Sequence, residues 1–223
     1  MHFEFLVEDL SGEELLNALL PKLIPDPHTF TVKHYKGIGR LPKNLDSSPD
    51  PKRKQLLNKL PSLVKGYGKT FAGYGADYRA ALFIVCDLDD KCLKELRSQL
   101  VKVLNDCIPR PYTKFCIAIE EMEAWLLGDI QAIKRAYPNA KDAILESYRN
   151  DAICDTWELL ANAIYPGGVQ KLKEQGYPSV GLQKRNWARD ITPFIRMEKN
   201  RSPSFQYLVN KVREAIVEYG EAS

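Results

Sequence analysis

Apolar and polar positions alternate between two periods along the first 130 residues. His2 to Val7 reads as a strand that ends in Glu8 and Asp9. Leu15, Leu16, Leu19, Leu20 and Leu23 then form a helical stripe, with Ser11 as N-cap and Glu14 three residues later as a capping box. "HTFTVKHY" (28–35) has the β-branched and aromatic content of a second strand, and "KGIGRLPKN" (36–44) reads as a basic, glycine-bearing loop. "DPKRKQLLNKLPSLVKGYG" predicts a basic amphipathic helix with a break or start at Pro61. A buried strand at 80–86, a helix from about 90 to 106 and a strand at 112–119 follow, the last ending in Glu120 and Glu121. "MEAWLLGD" (122–129) begins a helix that Gly128 interrupts.

This β-α order predicts an α/β fold with a mostly parallel sheet flanked by helices. Beyond 130 the pattern turns mainly helical, over 130–137, 139–148, 155–164, 168–174, 184–195 and 203–219. The organisation expected is an α/β core over 1–130 and a helical C-terminal extension over 131–223 packed on it. No flexible linker, internal repeat or low-complexity tract separates the two.

Composition narrows the setting. The 223 residues carry a net charge of +3, with 44% hydrophobic and 27% charged residues, as an ordinary globular chain does. So mild a charge does not mark a nucleic-acid binder. Its distribution is more telling: "KRK" (52–54) and 198–213 are basic, and acids gather at 87–90 and 120–123. Five scattered cysteines lack metal-ligand spacing and read as free thiols of a reducing cytoplasm. No apolar run is long enough for a membrane span, and no signal peptide precedes the first strand.

The candidate chemistry lies where strands end. "LFIVCDLDD" (82–90) passes from a buried strand to three carboxylates. In open α/β sheets, sites form beyond the carboxyl ends of the strands. Glu8, Asp87, Asp89 and Glu120 would converge there, and their repulsion calls for a hard cation such as Mg²⁺ or Mn²⁺. Asp89 or Asp90 as a helix cap is the alternative. Glu121 and Glu123 suit a helix dipole, and Trp125 suits the core. Near the C-terminus, Asn200 or Ser202 would cap the last helix with Pro203 at its first position. Lys199 and Arg201 would then meet phosphate there, with Lys184 and Arg189 extending the groove; a capped helix with solvated cations is the alternative.

The acid pattern, a Glu after the first strand and Asp-x-Asp after a later one, resembles the Toprim domain of topoisomerases, primases and overcoming-lysogenization-defect nucleases. Over nearly the whole chain, "FLVEDLSGEELLNALLPKLIP", "VCDLDD", "IAIEEMEAWLLGD", "YPNA" and "NRSPSF" resemble the bacterial domain-of-unknown-function family numbered forty-two seventy-six. That resemblance implies a Toprim-like fold and an AAA- or ABC-type ATPase partner in a phage-defence setting. Glu8, Asp87 and Asp89 would be its Mg²⁺-binding acids, and Glu120 an added ligand or base. The sequence has Phe194 in "WARDITPFI" where a His is usual in the family. None of the 11 tyrosines has the context of a topoisomerase nucleophile. The function expected is a metal-dependent nuclease acting on DNA or RNA; a non-catalytic sensor docked on the ATPase is the alternative.

Overall fold

The computed structural model describes residues 1–42, 54–75 and 78–220. The basic residues at 52 and 53 therefore lie outside the described residues. Four strands, β1 (His2–Val7), β2 (Thr29–His34), β3 (Ala80–Asp87) and β4 (Thr113–Ala118), form one all-parallel sheet in the order β2-β1-β3-β4. Helices α1 (Leu10–Leu23), α2 (Leu56–Ala72) and α3 (Leu93–Asn105) connect them. The α/β class with a parallel sheet is as the sequence pattern predicts.

Alternation along the strands builds two cores. Phe3, Phe5, Val7, Phe83, Val85, Cys116 and Ala118 face one side. There they meet α1 and the C-terminal helices, including α9 (Tyr177–Ile191) and α10 (Pro203–Gly220). Leu6, Leu82, Ile84, Cys86 and Ile117 face the other side, against α2 and α3. Strands buried on both faces need near-continuous apolar runs, and β3 has one.

The remaining helices are α4 (Glu123–Leu127), α5 (Ile130–Ala136), α6 (Asp142–Glu146), α7 (Thr156–Ile164) and α8 (Gly168–Glu174), with a 3₁₀ turn at Thr192–Phe194. Three local expectations change. Asp9, not Ser11, caps α1: its carboxylate accepts from Gly12 N–H at 2.9 Å and from the Ser11 hydroxyl at 2.8 Å. Glu14 instead accepts from Arg185 Nε at 2.8 Å. Pro61 neither breaks nor starts α2, because a proline early in a helix removes only one backbone bond. And α9 begins seven residues before the expected 184, because Pro178 sits in its first turn, where no N–H is needed.

Candidate metal centre

The order β2-β1-β3-β4 reverses direction between β1 and β3, so the crevice at their carboxyl ends is a topological switch point. Glu8 follows the last residue of β1, and Asp87 is the last residue of β3. Val7 pairs with Val85, so the two acids leave neighbouring strands at nearly the same level. Glu8 Oε2 accepts from the Asp87 backbone N–H at 3.2 Å. Asp87 is only 8% exposed, and its buried Oδ1 has no hydrogen-bond partner among the described residues.

Electrostatics here are unfavourable in the protein alone. Burial pushes the Glu8 carboxyl up to about 7, against hydrogen bonds from the Asp87 and Ile38 backbone; the charges of Asp89 and Asp9 add to it. Burial, and then the Glu8 charge, push Asp87 well above the usual carboxylate range.

Two other expected ligands lie elsewhere. Asp89 has left the strand in a left-handed conformation (φ 51°), with its N–H donating to Glu120 O at 2.8 Å. The two-residue strand alternation therefore no longer aims it with Asp87, and its carboxylate pairs with Lys91 at 2.6 Å. Its charge is still felt by Glu8. Glu120, also left-handed (φ 66°), turns its carboxylate to the start of α7, accepting from Thr156 N–H at 2.9 Å and from Asp155 N–H. A strand-end acid next to an unsatisfied helix start is captured by it.

Glu121 and Glu123 contribute more than the helix-dipole reading of them. Lys184 reaches from α9 to Glu121 Oε1 at 3.0 Å and to Glu123 Oε2 at 3.1 Å. Glu123 is 2% exposed, and its burial, opposed by Lys184, raises it to about 7. One ammonium shared by two carboxylates leaves the deeper one incompletely compensated. Burial acts against the charge on Lys184, but Glu123, Glu121 and Asp87 outweigh it and hold its pKa well above the ordinary lysine value. Spacing along the chain could not have linked Lys184 to Glu123, because their contact depends on α9 packing beside α4.

Among the described residues, no group of three or more His, Cys, Asp or Glu side chains is gathered to hold a metal ion. The geometry brings together Glu8 and Asp87, with Glu123, Glu121 and Lys184 behind them.

The expected phosphate groove takes a different form. Lys184 is spent on its two glutamates. Arg189 is exposed and bonded to its neighbour Asp190 at 2.9 Å. The start of α10 is already occupied: Asp151 accepts from Ser204 N–H at 2.7 Å and from the Ser202 hydroxyl at 2.9 Å. Ser202 Oγ in turn accepts from Phe205 N–H at 3.2 Å. A carboxylate of the chain itself thus fills the position where an anion would bind. Lys199 and Arg201 line a separate pocket of about 410 Å³ with Arg196, Lys134 and Asp129. "NRSPSF" and "LLGD" instead form a lock. Asn200 Nδ2 donates to Trp125 O at 2.7 Å, and Arg201 N–H donates to Gly128 O at 2.8 Å. Trp125 is fully buried, as its core reading requires.

The family model described as "Domain of unknown function (DUF4276)" matches residues 7–213, from the end of β1 into α10. The chain belongs to this family. No curated protein and no solved structure matches the DUF4276 chain. Among the described residues, no helix is long and apolar enough to cross a membrane.

Proposed function

We propose that the protein is a Toprim-like, divalent-metal-dependent phosphodiester hydrolase of nucleic acid, working in the bacterial cytoplasm in phage defence beside an AAA- or ABC-type ATPase. One observation carries this reading: the half-buried carboxylate of Glu8 and the buried one of Asp87 abut at the switch point of a parallel sheet, and among the described residues Asp87 Oδ1 has no hydrogen-bond partner. A buried polar atom without a partner is costly, and a cation there would relieve both it and the Glu8–Asp87 repulsion. The donor set fits Mg²⁺ or Mn²⁺, since such ions need only one or two protein carboxylates when water and substrate phosphate complete the shell.

In this reading Glu8 and Asp87 hold the ion, and Asp89 adds negative charge at the mouth of the crevice. Such an ion, when bound, supplies Lewis-acid polarisation of a phosphoryl oxygen and a more acidic water. Lys184 fixes Glu121 and Glu123 behind Asp87 and places positive charge beside it. Glu120 has no ligand role in this arrangement, because its carboxylate caps α7.

Ion pairing favours a second reading, a non-catalytic subunit docked on the ATPase. Asp89 is paired with Lys91, and Glu121 with Lys184, without any metal. Cleavage of labelled DNA and RNA in Mn²⁺ or Mg²⁺, with and without the ATPase, separates the two. The hydrolase reading expects cutting by the wild type, a loss of orders of magnitude in an Asp87→Asn variant that stays folded, and a smaller loss in Asp89→Ala. Equal behaviour of wild type and Asp87→Asn in each setting would leave the docking reading.

A further inference from the structure

Strand β4 is one edge of the sheet, and its register fixes which main-chain groups point outward. Leu82 N–H donates to Tyr112 O at 2.9 Å, and Leu88 N–H donates to Ala118 O at 2.9 Å. In a parallel ladder every second residue turns its N–H and C=O to the same neighbour. Tyr112, Lys114, Cys116 and Ala118 therefore bond β3, and the N–H and C=O of Phe115 and Ile117 face away from the sheet. Among the described residues, no other element hydrogen-bonds these four groups. Edge strands are ordinarily guarded by charges, prolines or a covering element. β4 has no proline, and its one charge, Lys114, lies 4.6 Å from the Tyr112 ring centre.

A groove of about 410 Å³ lies where a fifth strand would run. Phe115, Ile117 and Ile119 line it from β4, Leu93 from α3, and Pro203 and Tyr207 from α10. Helices α3 and α10 cover opposite faces of the sheet. A cavity bounded by both helices and by β4 therefore lies beside the strand, not on either face. Leu93 is left 41% exposed at its rim. The two charges that reach the groove, Arg97 and Asp151, are opposite in sign, so it selects neither an anion nor a cation.

What the edge does select is a main chain. A donor and an acceptor at every second residue, repeating at about 6.5–7 Å, are matched by a polypeptide in extended conformation, whose own groups recur at that spacing. Nucleic acid has no such repeat of donors and acceptors. A second copy of the chain would have to bring its own α3 and α10 against the two walls, so the groove suits a lone strand with no helices on its faces. We propose that the outer edge of β4, between α3 and α10, binds an extended peptide segment of a partner protein as a fifth strand, with apolar residues at alternate positions packed beside Phe115, Ile117 and Ile119. The proposal stands on the edge alone and is independent of the hydrolase reading of the crevice.

The probe is a random dodecapeptide library displayed on phage and panned against the purified full chain. Enriched sequences should carry apolar residues two apart, as a strand does. An enriched peptide, synthesised with a fluorescent label, should bind in an anisotropy titration. N-methylation of every second amide should weaken it about tenfold or more in one of the two possible settings and little in the other, because only one set of its N–H groups faces β4. Ile119→Lys and Tyr207→Ala should each weaken it about tenfold, with circular dichroism checking that both variants fold. In hydrogen exchange, the Phe115 and Ile117 amides should become protected when the peptide binds. The proposal is overturned by no enrichment, by enriched sequences with three- and four-residue apolar spacing, or by binding that ignores methylation in both settings. A dimer that protects the Phe115 and Ile117 amides without any peptide would also overturn it, by making a second copy the occupant.

Discussion

Replacing Glu8 by Gln should make the metal-free protein more stable at alkaline pH and leave it nearly unchanged at acid pH. The carboxyl group rises from 4.5 to about 7 on folding, chiefly through burial. A carboxyl raised in this way stabilises the fold fully below its unfolded value and loses that contribution as pH climbs through the folded one. The interval corresponds to about 3 kcal/mol lost between about pH 4.5 and pH 7. Gln carries no such contribution, yet keeps an oxygen to accept from the Asp87 N–H, which Glu8 accepts at 3.2 Å. The assay is urea unfolding of both proteins in EDTA at about pH 5 and pH 8, a single slope being checked for each. The variant should match the wild type within about 1 kcal/mol at the lower pH and exceed it by about 2–3 kcal/mol at the higher. A difference that is the same at both pH values would refute the claim that Glu8 is buried against its own charge.

Three further outcomes are expected. Glu120→Ala should cost about 1 kcal/mol in thermal unfolding by uncapping α7, while divalent-ion affinity stays within a small factor of wild type. Lys184→Met should destabilise by about 3–5 kcal/mol at neutral pH, because it leaves the buried Glu123 and the half-buried Glu121 without their cation. The penalty should grow as pH rises above 7, because Lys184 holds the Glu123 carboxyl at about 7, below the value it would take without the ammonium. A Gly128→Ala methyl would lie 2.0 Å from Asn200 Oδ1 and should cost about 1–3 kcal/mol in urea unfolding. In an Asn200→Ala background the same change should cost clearly less, as a double-mutant cycle would show.

The parallel sheet was legible because β3 carries a continuous apolar run, the other strands β-branched and aromatic residues, and each intervening helix a 3.6-residue stripe. The crevice was legible in part: Glu8 and Asp87 mark their strand ends, and strand ends at a switch point converge. Asp89 and Glu120 were named as ligands, but where their carboxylates turn was not legible, because each lies two residues past its strand. There the backbone turns left-handed and a nearby group, Lys91 or the start of α7, claims the carboxylate. Glu123 and Lys184 lie 61 positions apart, and only the packing of α9 joins them. The basic motif "NRSPSF" misled for a related reason. Its helix start does attract an anion, but Asp151, in the loop before α7, supplies it.

The proposed chemistry of the crevice depends on a divalent ion held by Glu8 and Asp87. Its most direct test is Mn²⁺ binding to the purified chain, followed by the loss of the free-ion electron paramagnetic resonance signal. The wild type should take up Mn²⁺ and release protons below about pH 7 as it does so, because the ion displaces the proton on Glu8. Asp87→Asn and Glu8→Gln should each abolish both uptake and proton release. Full Mn²⁺ uptake by either variant, or none by the wild type, would contradict it.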